Sequence, residues 1–161
     1  MAAVDYFLKI DGIEGESQDS KHKNEIQLES FSWGASQTGS FAHSGGGGAG
    51  KVAMQDFHFT MKTSKASPKL FLSCCNGAHI KMATLVARKA GKDQQEYLKI
   101  LLSDVLVSSF TASGSPGDVI PAESISLNFA KIEIEYKDQK ADGSLGGATK
   151  AGYDLKQQKG V

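Results

Sequence analysis

The protein is a chain of 161 residues with 18 basic and 18 acidic side chains, so its formal net charge is zero. Arg88 is the one arginine among the basic residues. Because arginine is the usual side chain for bidentate contacts to phosphates and guanine edges, this composition argues against a nucleic-acid-binding protein. The length suits a single domain over residues 1–161 that folds without a metal or a disulfide.

The N-terminus and the cysteines bear on where the protein resides. The chain reaches Asp5 without a basic region, and no apolar run approaches the roughly 18 residues of a transmembrane span. We therefore expect no membrane insertion and, if the protein leaves the cell, no cleaved signal peptide. Cys74 and Cys75 are sequence neighbours, which rarely pair because a disulfide between them strains the backbone. They are predicted to be small, partly buried side chains in a reducing compartment.

One helix is predicted among about seven strands. The strands, in chain order, are Val4–Ile10, Glu25–Gly34, Val52–Met61, Met82–Arg88, Glu96–Phe110, Glu123–Tyr136 and a short one at Tyr153–Lys156. The connections are Asp11–Asn24, Gln37–Lys51, Ser113–Asp118 and Lys137–Gly152. The helix is predicted over about residues 67–76, because Ser67 can cap it, Pro68 suits its first turn and Gly77 stands where a helix stops. Glu96–Phe110 is apolar on both faces, which predicts burial on both sides.

Two predicted strands change face partway along. In Glu25–Gly34 the apolar residues move from even to odd positions near Glu29–Ser30, and in Glu123–Tyr136 they move from odd to even positions after Phe129. A shift of one residue turns every following side chain to the opposite face, so a bulge or a corner is expected at these points. The sequence therefore predicts a mainly β fold, a compact antiparallel β-barrel with one short α-helix.

The strand Glu25–Gly34 has two unlike faces. Trp33 shares one face with Phe31 and is predicted to lie in the core. The opposite face carries Ser30, Ser32 and Gly34, all small or weakly polar. Such a face allows another molecule to approach the sheet closely, although an ordinary exposed strand face would have the same composition.

A glycine run imitates a phosphate-binding loop. Gly45–Lys51 has the spacing of that motif up to its last position, where Val52 replaces the required serine or threonine. A phosphate loop must also lead into a helix whose N-terminus faces the anion, whereas the chain continues here as a strand. The sequence thus argues against a nucleotide site and favours a long excursion that reaches another molecule, with glycine supplying conformational freedom.

Other catalytic or metal-binding patterns are weak. His22, His43, His58 and His79 are too far apart in sequence for local metal-ligand spacing. A zinc corner built from Cys74–Cys75 and His79 would lack the two-residue spacer of common sites. No Gly-x-Ser-x-Gly elbow occurs, and the carboxylates are scattered over strands and loops. We therefore expect neither an enzyme nor a cofactor or metal site.

Several stretches, taken in order, resemble the haemolysin-coregulated protein (Hcp) family, the tube subunit of bacterial type VI secretion. They are Phe7–Ser17, Phe31–Gly34, Gly45–Lys51, Gln55–Phe59, Arg88–Gly91, Asp104–Ser109, Leu127–Lys131 and Gln139–Gly143. The resemblance spans nearly the whole chain and is more specific than any single motif.

The resemblance implies a function through assembly. Family members form six-subunit rings that stack into a tube within a contractile sheath, capped by a spike protein, and they carry and chaperone effector proteins in the lumen. The protein would be made in the bacterial cytoplasm and then secreted. A plain tube subunit catalyses no reaction, and this chain shows no room for a toxin extension.

The resemblance also assigns two sites. The first is a loop that reaches the neighbouring ring, formed by Gln37, Thr38, Gly39, Ser40, Phe41, Ala42, His43, Ser44, Gly45, Gly46, Gly47, Gly48, Ala49, Gly50 and Lys51. The second is Ser32, on a strand that lines the lumen and could contact effectors.

Two other hypotheses remain open. One is a monomeric β-barrel that binds a small ligand in its interior, which barrels of about eight strands can do. The bulky apolar residues of Glu96–Phe110 argue against it, because they leave little space. The other is a glycine-loop nucleotide hydrolase, whose nucleotide binding would depend on Lys51.

Overall fold

The computed structural model describes residues 3–39, 51–91 and 93–161. These residues form one α-helix, α1 (Ser67–Asn76), and eleven β-strands. The strands are β1 (Val4–Ile10), β2 (Ile26–Leu28), β3 (Ser30–Ser32), β4 (Ala35–Gln37), β5 (Val52–Met54), β6 (Phe57–Lys62), β7 (Ile80–Lys89), β8 (Glu96–Ser113), β9 (Ala122–Gln139), β10 (Leu145–Asp154) and β11 (Lys159–Gly160). The prediction of a mainly β chain with one short helix is confirmed.

Nine of the strands form one antiparallel sheet. Its order is β11-β10-β9-β8-β7-β1-β2, and β6 pairs with both β9 and β3. The consecutive strands β2 and β3 are joined through Glu29. The β2 end of the sheet is therefore connected through the backbone to β3, which pairs with β6. Between β2 and β6 there is no strand ladder, but the Glu29 amide donates a hydrogen bond to the Thr60 carbonyl, 2.9 Å away. A bent strand therefore completes the wall, in place of a continuous hydrogen-bonded barrel.

Both expected changes of face occur. Glu29 is a bend between β2 and β3, so the single strand predicted over Glu25–Gly34 is two short strands. In β9 the buried residues pass from Phe129 to Ile132, and their partners on β8, Val105 and Leu102, are also both buried. The two strands therefore change their buried face between the same two pairs of register partners. A bent wall requires such corners, because flat strands cannot enclose a core.

The core is made of the inward-facing side chains of these strands together with the helix. Fully buried apolar side chains include Leu8, Phe57, Phe59, Leu70, Leu85, Ile100, Ile125 and Leu127. Trp33 and Phe31 are partly buried and pack against this cluster, which confirms the prediction for that face of the strand.

The helix begins differently from the sequence prediction. Its N-cap is Ala66, which makes no side-chain cap, while Pro68 lies in the first turn as expected. The Ser67 hydroxyl is buried and donates a hydrogen bond to the Glu123 carboxyl, at 2.7 Å. The Ser67 hydroxyl therefore binds a carboxyl group on β9 and does not cap the helix. At the other end Gly77 adopts the left-handed conformation, with φ of 63°, as a terminating glycine does.

The C-terminal part and β8 correct two further predictions. Residues 145–152, expected to belong to a loop, are most of strand β10, which ends at Asp154, so the short strand predicted at Tyr153–Lys156 is wrong. The segment β8 is not buried on both faces, since Leu101 is half-buried and Leu106 is exposed.

Candidate functional site

Part of the outward face of four adjacent strands is made almost wholly of hydroxyl side chains. Two cross-strand rows run over β3, β6, β9 and β8, and their register partners are Ser30–Thr60–Ser124–Thr111 and Ser32–His58–Ser126–Ser109. We call these eight residues the hydroxyl wall. The intervening residues of the same strands, among them Phe31, Phe59 and Ile125, point into the core, because side chains alternate between the faces of a strand.

Hydrogen bonds tie the hydroxyl wall together across the strands. The Ser30 and Thr60 hydroxyl oxygens are 2.6 Å apart, and the Ser126 hydroxyl oxygen is 2.5 Å from Nδ1 of His58. Ser32 makes no side-chain hydrogen bond with any described residue and is exposed. Seven of the eight side chains carry a hydroxyl and the eighth is a histidine, so the wall is polar and contains no lysine, arginine, aspartate or glutamate.

Beside the hydroxyl wall, Asp56 joins three segments. Its carboxylate accepts hydrogen bonds from the Ser108 hydroxyl at 2.6 Å and from the Asn128 amide at 3.0 Å. Ser108 lies where the pairing of β8 with β9 shifts by one residue. Asp56 precedes β6, so these contacts fix the start of β6 against β8 and β9.

The strands β4 and β5 form a two-stranded hairpin outside the main sheet. They pair antiparallel, with Ala35 opposite Met54 and Gln37 opposite Val52. The residues of β4 are exposed, and the Thr38 hydroxyl donates a hydrogen bond to the Lys51 carbonyl at 3.3 Å. A two-stranded hairpin is only marginally stable by itself in water. Contact with another surface would therefore stabilise a hairpin that projects from the main sheet.

This hairpin is where the predicted ring-contact loop is located. Gln37, Thr38, Gly39 and Lys51 are described, and residues 40–50, which include the glycine run, lie outside the described residues. The chain enters β5 directly after Lys51, but the single strand predicted over Val52–Met61 is two strands, β5 paired with β4 and β6 in the main sheet.

An ion cluster that the sequence did not predict lies elsewhere, on the outer face of β1 and β7. The Arg88 side chain is 3% exposed, and its guanidinium donates hydrogen bonds to the Asp19 carboxylate at 2.7 and 2.9 Å and to Asp5 at 3.4 Å. Its central carbon lies 4.8 Å from the centroid of the Phe7 ring. The hydrogen bond from Arg88 lowers the pKa of Asp19 to about 2, against the opposing effect of burial.

His22 lies in the same cluster. Its ring is buried and stacks on Phe7, and its two nitrogens contact Glu25 and Glu96. The sequence carried one signal for this cluster, a single arginine within the apolar run of β7. The carboxylate partners lie 69 and 83 positions away and could not be recognised from it.

The other residues considered in the sequence do not come together as a site. Cys74 is partly buried against the core and Cys75 is exposed, both with free thiols, and His79 pairs with Asp104 at 2.9 Å. His43 lies outside the described residues. Within the described ranges, no three or more histidine, cysteine, aspartate or glutamate side chains are placed to hold a metal ion. The described helix is too short and too polar to cross a membrane.

The fold and the sequence match known proteins over nearly their whole length. A family model described as type VI secretion system effector, Hcp, matches residues 7–136. The chain is 47% identical over 157 residues to protein hcp1 of Pseudomonas aeruginosa, covering 96% of this chain and 97% of that protein.

Solved structures agree. The crystal structure of Hcp1 from Salmonella typhimurium has 42% identity and a TM-score of 0.84, covering 99% of this chain and 100% of that one. A structure described as a type six secretion system protein has 29% identity and a TM-score of 0.93, with the same coverage.

These matches define the class, a secreted protein of the type VI secretion system. Within that class, the chain belongs to the Hcp family. The predicted resemblance and the predicted fold class are both confirmed.

Proposed function

We propose that this protein is the subunit of a hexameric ring, that the rings stack into the type VI secretion tube, and that effector proteins travel in the lumen. The single observation that carries the proposal is the hydroxyl wall. Its exposed hydroxyl side chains can hydrogen-bond to many polypeptide surfaces, and the absence of lysine, arginine and carboxylates from its two rows avoids strong attraction to one sign of charge. A conduit for varied proteins needs such a surface.

The remaining parts of the proposal concern partners and location. Residues 1–161 act as one domain that catalyses no reaction and uses no cofactor. The stacked rings contact a spike protein and a contractile sheath, and they bind neither nucleic acid nor a membrane interior. The protein is made in the bacterial cytoplasm and then secreted.

The ring is tested by its mass and shape. Sedimentation in dilute near-neutral buffer should give a particle of about six times the 17.1 kDa subunit mass, because heterologous contacts that close produce rings. Negative-stain microscopy should show an open centre. A monomer whose melting temperature rises with a small ligand would instead support the alternative of a ligand-binding barrel.

We place Ser32 in the lumen wall as an effector contact, because it is exposed and its register partner is His58, inside the hydroxyl wall. Ser32→Gln should weaken retention of a co-expressed effector by about tenfold, which corresponds to about 1.4 kcal/mol. The bulkier side chain blocks close approach while the strand keeps its polarity. Effector recovered with purified rings is the measurement.

Thr149→Gln is the matched control, because Thr149 is an exposed hydroxyl residue on β10, outside the hydroxyl wall. Both variants should keep the particle mass of the unmodified protein. Equal effector recovery from the two variants would remove Ser32 from the proposed contact.

A further inference from the structure

The two ends of the hydroxyl wall carry different structures. Strand β6 runs from Phe57, where the β4–β5 hairpin precedes it, to Lys62, which lies opposite Ala122 of β9. Ala122 also pairs with Ser113, the last residue of β8, so the turn between β8 and β9 lies at the Lys62 end. Because a strand advances steadily along its axis, the hairpin and this turn lie at opposite ends of the same strands.

The turn between β8 and β9 exposes apolar side chains beside a groove. Val119 is 99% exposed and Ile120 is 46% exposed. Ile120 borders a groove of about 550 Å³ between β2 and the end of β6. The residues that line this groove include Ile26, Leu28, Glu29, Lys62 and Thr63. Neighbouring exposed apolar side chains indicate a surface that contacts another molecule. We call Val119, Ile120 and the groove the receiving surface.

Hydrogen bonds fix the shape of the receiving surface. The Thr63 amide donates a hydrogen bond to the Pro121 carbonyl, 3.0 Å away. The buried Glu123 carboxylate accepts hydrogen bonds from the Thr63 and Ser67 hydroxyls, at 2.8 and 2.7 Å. These contacts join the base of the turn to the segment between β6 and α1. The groove is therefore formed before a partner binds, which reduces the conformational entropy lost on binding.

The receiving surface and the hairpin carry opposite charges. Two carboxylates, Glu16 and Glu29, line the groove together with one cation, Lys62, which is 3.4 Å from Glu29. The groove therefore has an excess of one negative charge. Lys51 is exposed and is the one charged side chain among the described hairpin residues, 35–39 and 51–54. Opposite charges at the two ends favour contact between copies that point in the same direction.

We propose that the receiving surface binds the β4–β5 hairpin of a second copy in the next ring, with Val119 and Ile120 in direct contact with that hairpin. This inference rests on the proposed function, because it names the surface on which the ring-contact loop docks. A projecting end that binds the opposite end of the next copy makes a heterologous contact, which repeats in one direction and so builds a tube from rings. The contact also stabilises the otherwise marginal hairpin.

Photo-crosslinking from the turn tests the contact directly. The photoreactive amino acid p-benzoylphenylalanine is placed at Val119 of the full chain, which is expressed beside the unmodified protein in cells with an active type VI system. The exposure of Val119 means that the substitution leaves the fold intact. Irradiation should join two copies, and mass spectrometry should locate the crosslink within residues 35–54 of the second copy. Crosslinks that never reach residues 35–54 would overturn the proposal.

Substitutions measure the contribution of the apolar side chains. Val119→Ser combined with Ile120→Ser should reduce the protein in the medium by about tenfold, because the contact is lost at every ring junction. Val119→Ile keeps an apolar side chain and should keep normal secretion. A double serine variant that is secreted as well as the unmodified protein would contradict the proposal.

Two controls match these substitutions. Val161→Ser also removes an exposed apolar side chain, since Val161 is 52% exposed, but Val161 does not line the groove. Ser115→Ala lies in the same turn and removes only a hydroxyl that bonds to Asp118 within the turn. Both controls should be secreted normally. A fall in secretion equal to that of the double serine variant in either control would remove Val119 and Ile120 from the contact.

The particle mass separates this inference from the proposed function. Every variant should sediment at about six times 17.1 kDa, because the receiving surface lies between rings and not within one. Loss of the hexamer in the double serine variant would place the turn in the contact within a ring and would overturn the inference alone. An unmodified protein that is a monomer would instead overturn the proposed function.

Discussion

Replacing Arg88 by methionine should lower the free energy of unfolding by about 3–5 kcal/mol, the cost of removing one partner from a buried ion pair. Methionine fills much of the same space beside Phe7, but it leaves the Asp19 carboxylate without its two hydrogen bonds at 2.7 and 2.9 Å. The loss also affects Asp5, which contacts the same guanidinium. Guanidinium chloride unfolding at neutral pH measures the difference.

The acid dependence of stability gives a second measure of the same contact. The pKa of Asp19 is lowered from 3.8 to about 2 in the folded protein, chiefly by the hydrogen bond from Arg88. The carboxylate therefore contributes its full stability above its unfolded pKa, and this contribution is lost as the pH falls from about 4 through about 2. In Arg88→Met that part of the acid dependence should disappear.

Lys150→Met is the control for the loss of a cation. Lys150 is 3.8 Å from Glu135 and its side chain is 69% exposed, so its removal should change the stability by less than about 1 kcal/mol. If the two variants lose equal stability, the buried Arg88 ion pairs stabilise the fold no more than an exposed pair does.

Shortening the β4–β5 hairpin should abolish secretion while leaving the ring intact. Because Gln37 and Val52 are register partners, residues 38–51 can be replaced by Asn-Gly, the sequence favoured in two-residue hairpin turns. The shortened hairpin keeps its paired strands and loses the part that we propose to contact the next ring. The protein in the medium of cells with an active type VI system should fall by about an order of magnitude or more, because affinity is lost at every ring junction.

The particle mass distinguishes contacts between rings from contacts within a ring. The shortened protein should still sediment at about six times 17.1 kDa. A change confined to the exposed turn Ser115–Asp118, such as Ser115→Ala, should affect neither mass nor secretion. Loss of the hexamer would assign the loop to the contact within a ring, and normal secretion would remove it from assembly altogether.

Local sequence patterns predicted the parts of the fold that depend on alternation. The strand β1 was predicted with its observed bounds, Val4–Ile10, because its apolar residues repeat every second position. The helix was predicted from Pro68 and Gly77, whose backbone preferences act locally. The changes of face near Glu29 and after Phe129 were also visible, because they break that same repeat.

Strand β10 was missed for a physical reason. Its sequence, Leu145–Asp154, is rich in glycine and polar residues and has no alternating apolar pattern. It is a strand because β9 pairs along it, with Ala151 opposite Ile134 and Tyr153 opposite Ile132. Pairing with an existing strand provides hydrogen-bond partners for the backbone amides and carbonyls whatever the side chains are. Pairing with β9, and not an apolar pattern of its own, therefore makes this segment a strand.

By itself, then, the sequence determined the fold class, the family, the absence of a helix after the glycine run, and the small side chains around Ser32. Only the tertiary structure assembled the hydroxyl wall, since its two rows unite residues of four strands between Ser30 and Ser126. The same holds for the Arg88 cluster and for the contact between His22 and Glu96, which join positions 69 to 83 residues apart. Cross-strand register and loop docking create these contacts, and neither leaves a pattern in the neighbouring residues from which the partner could be identified.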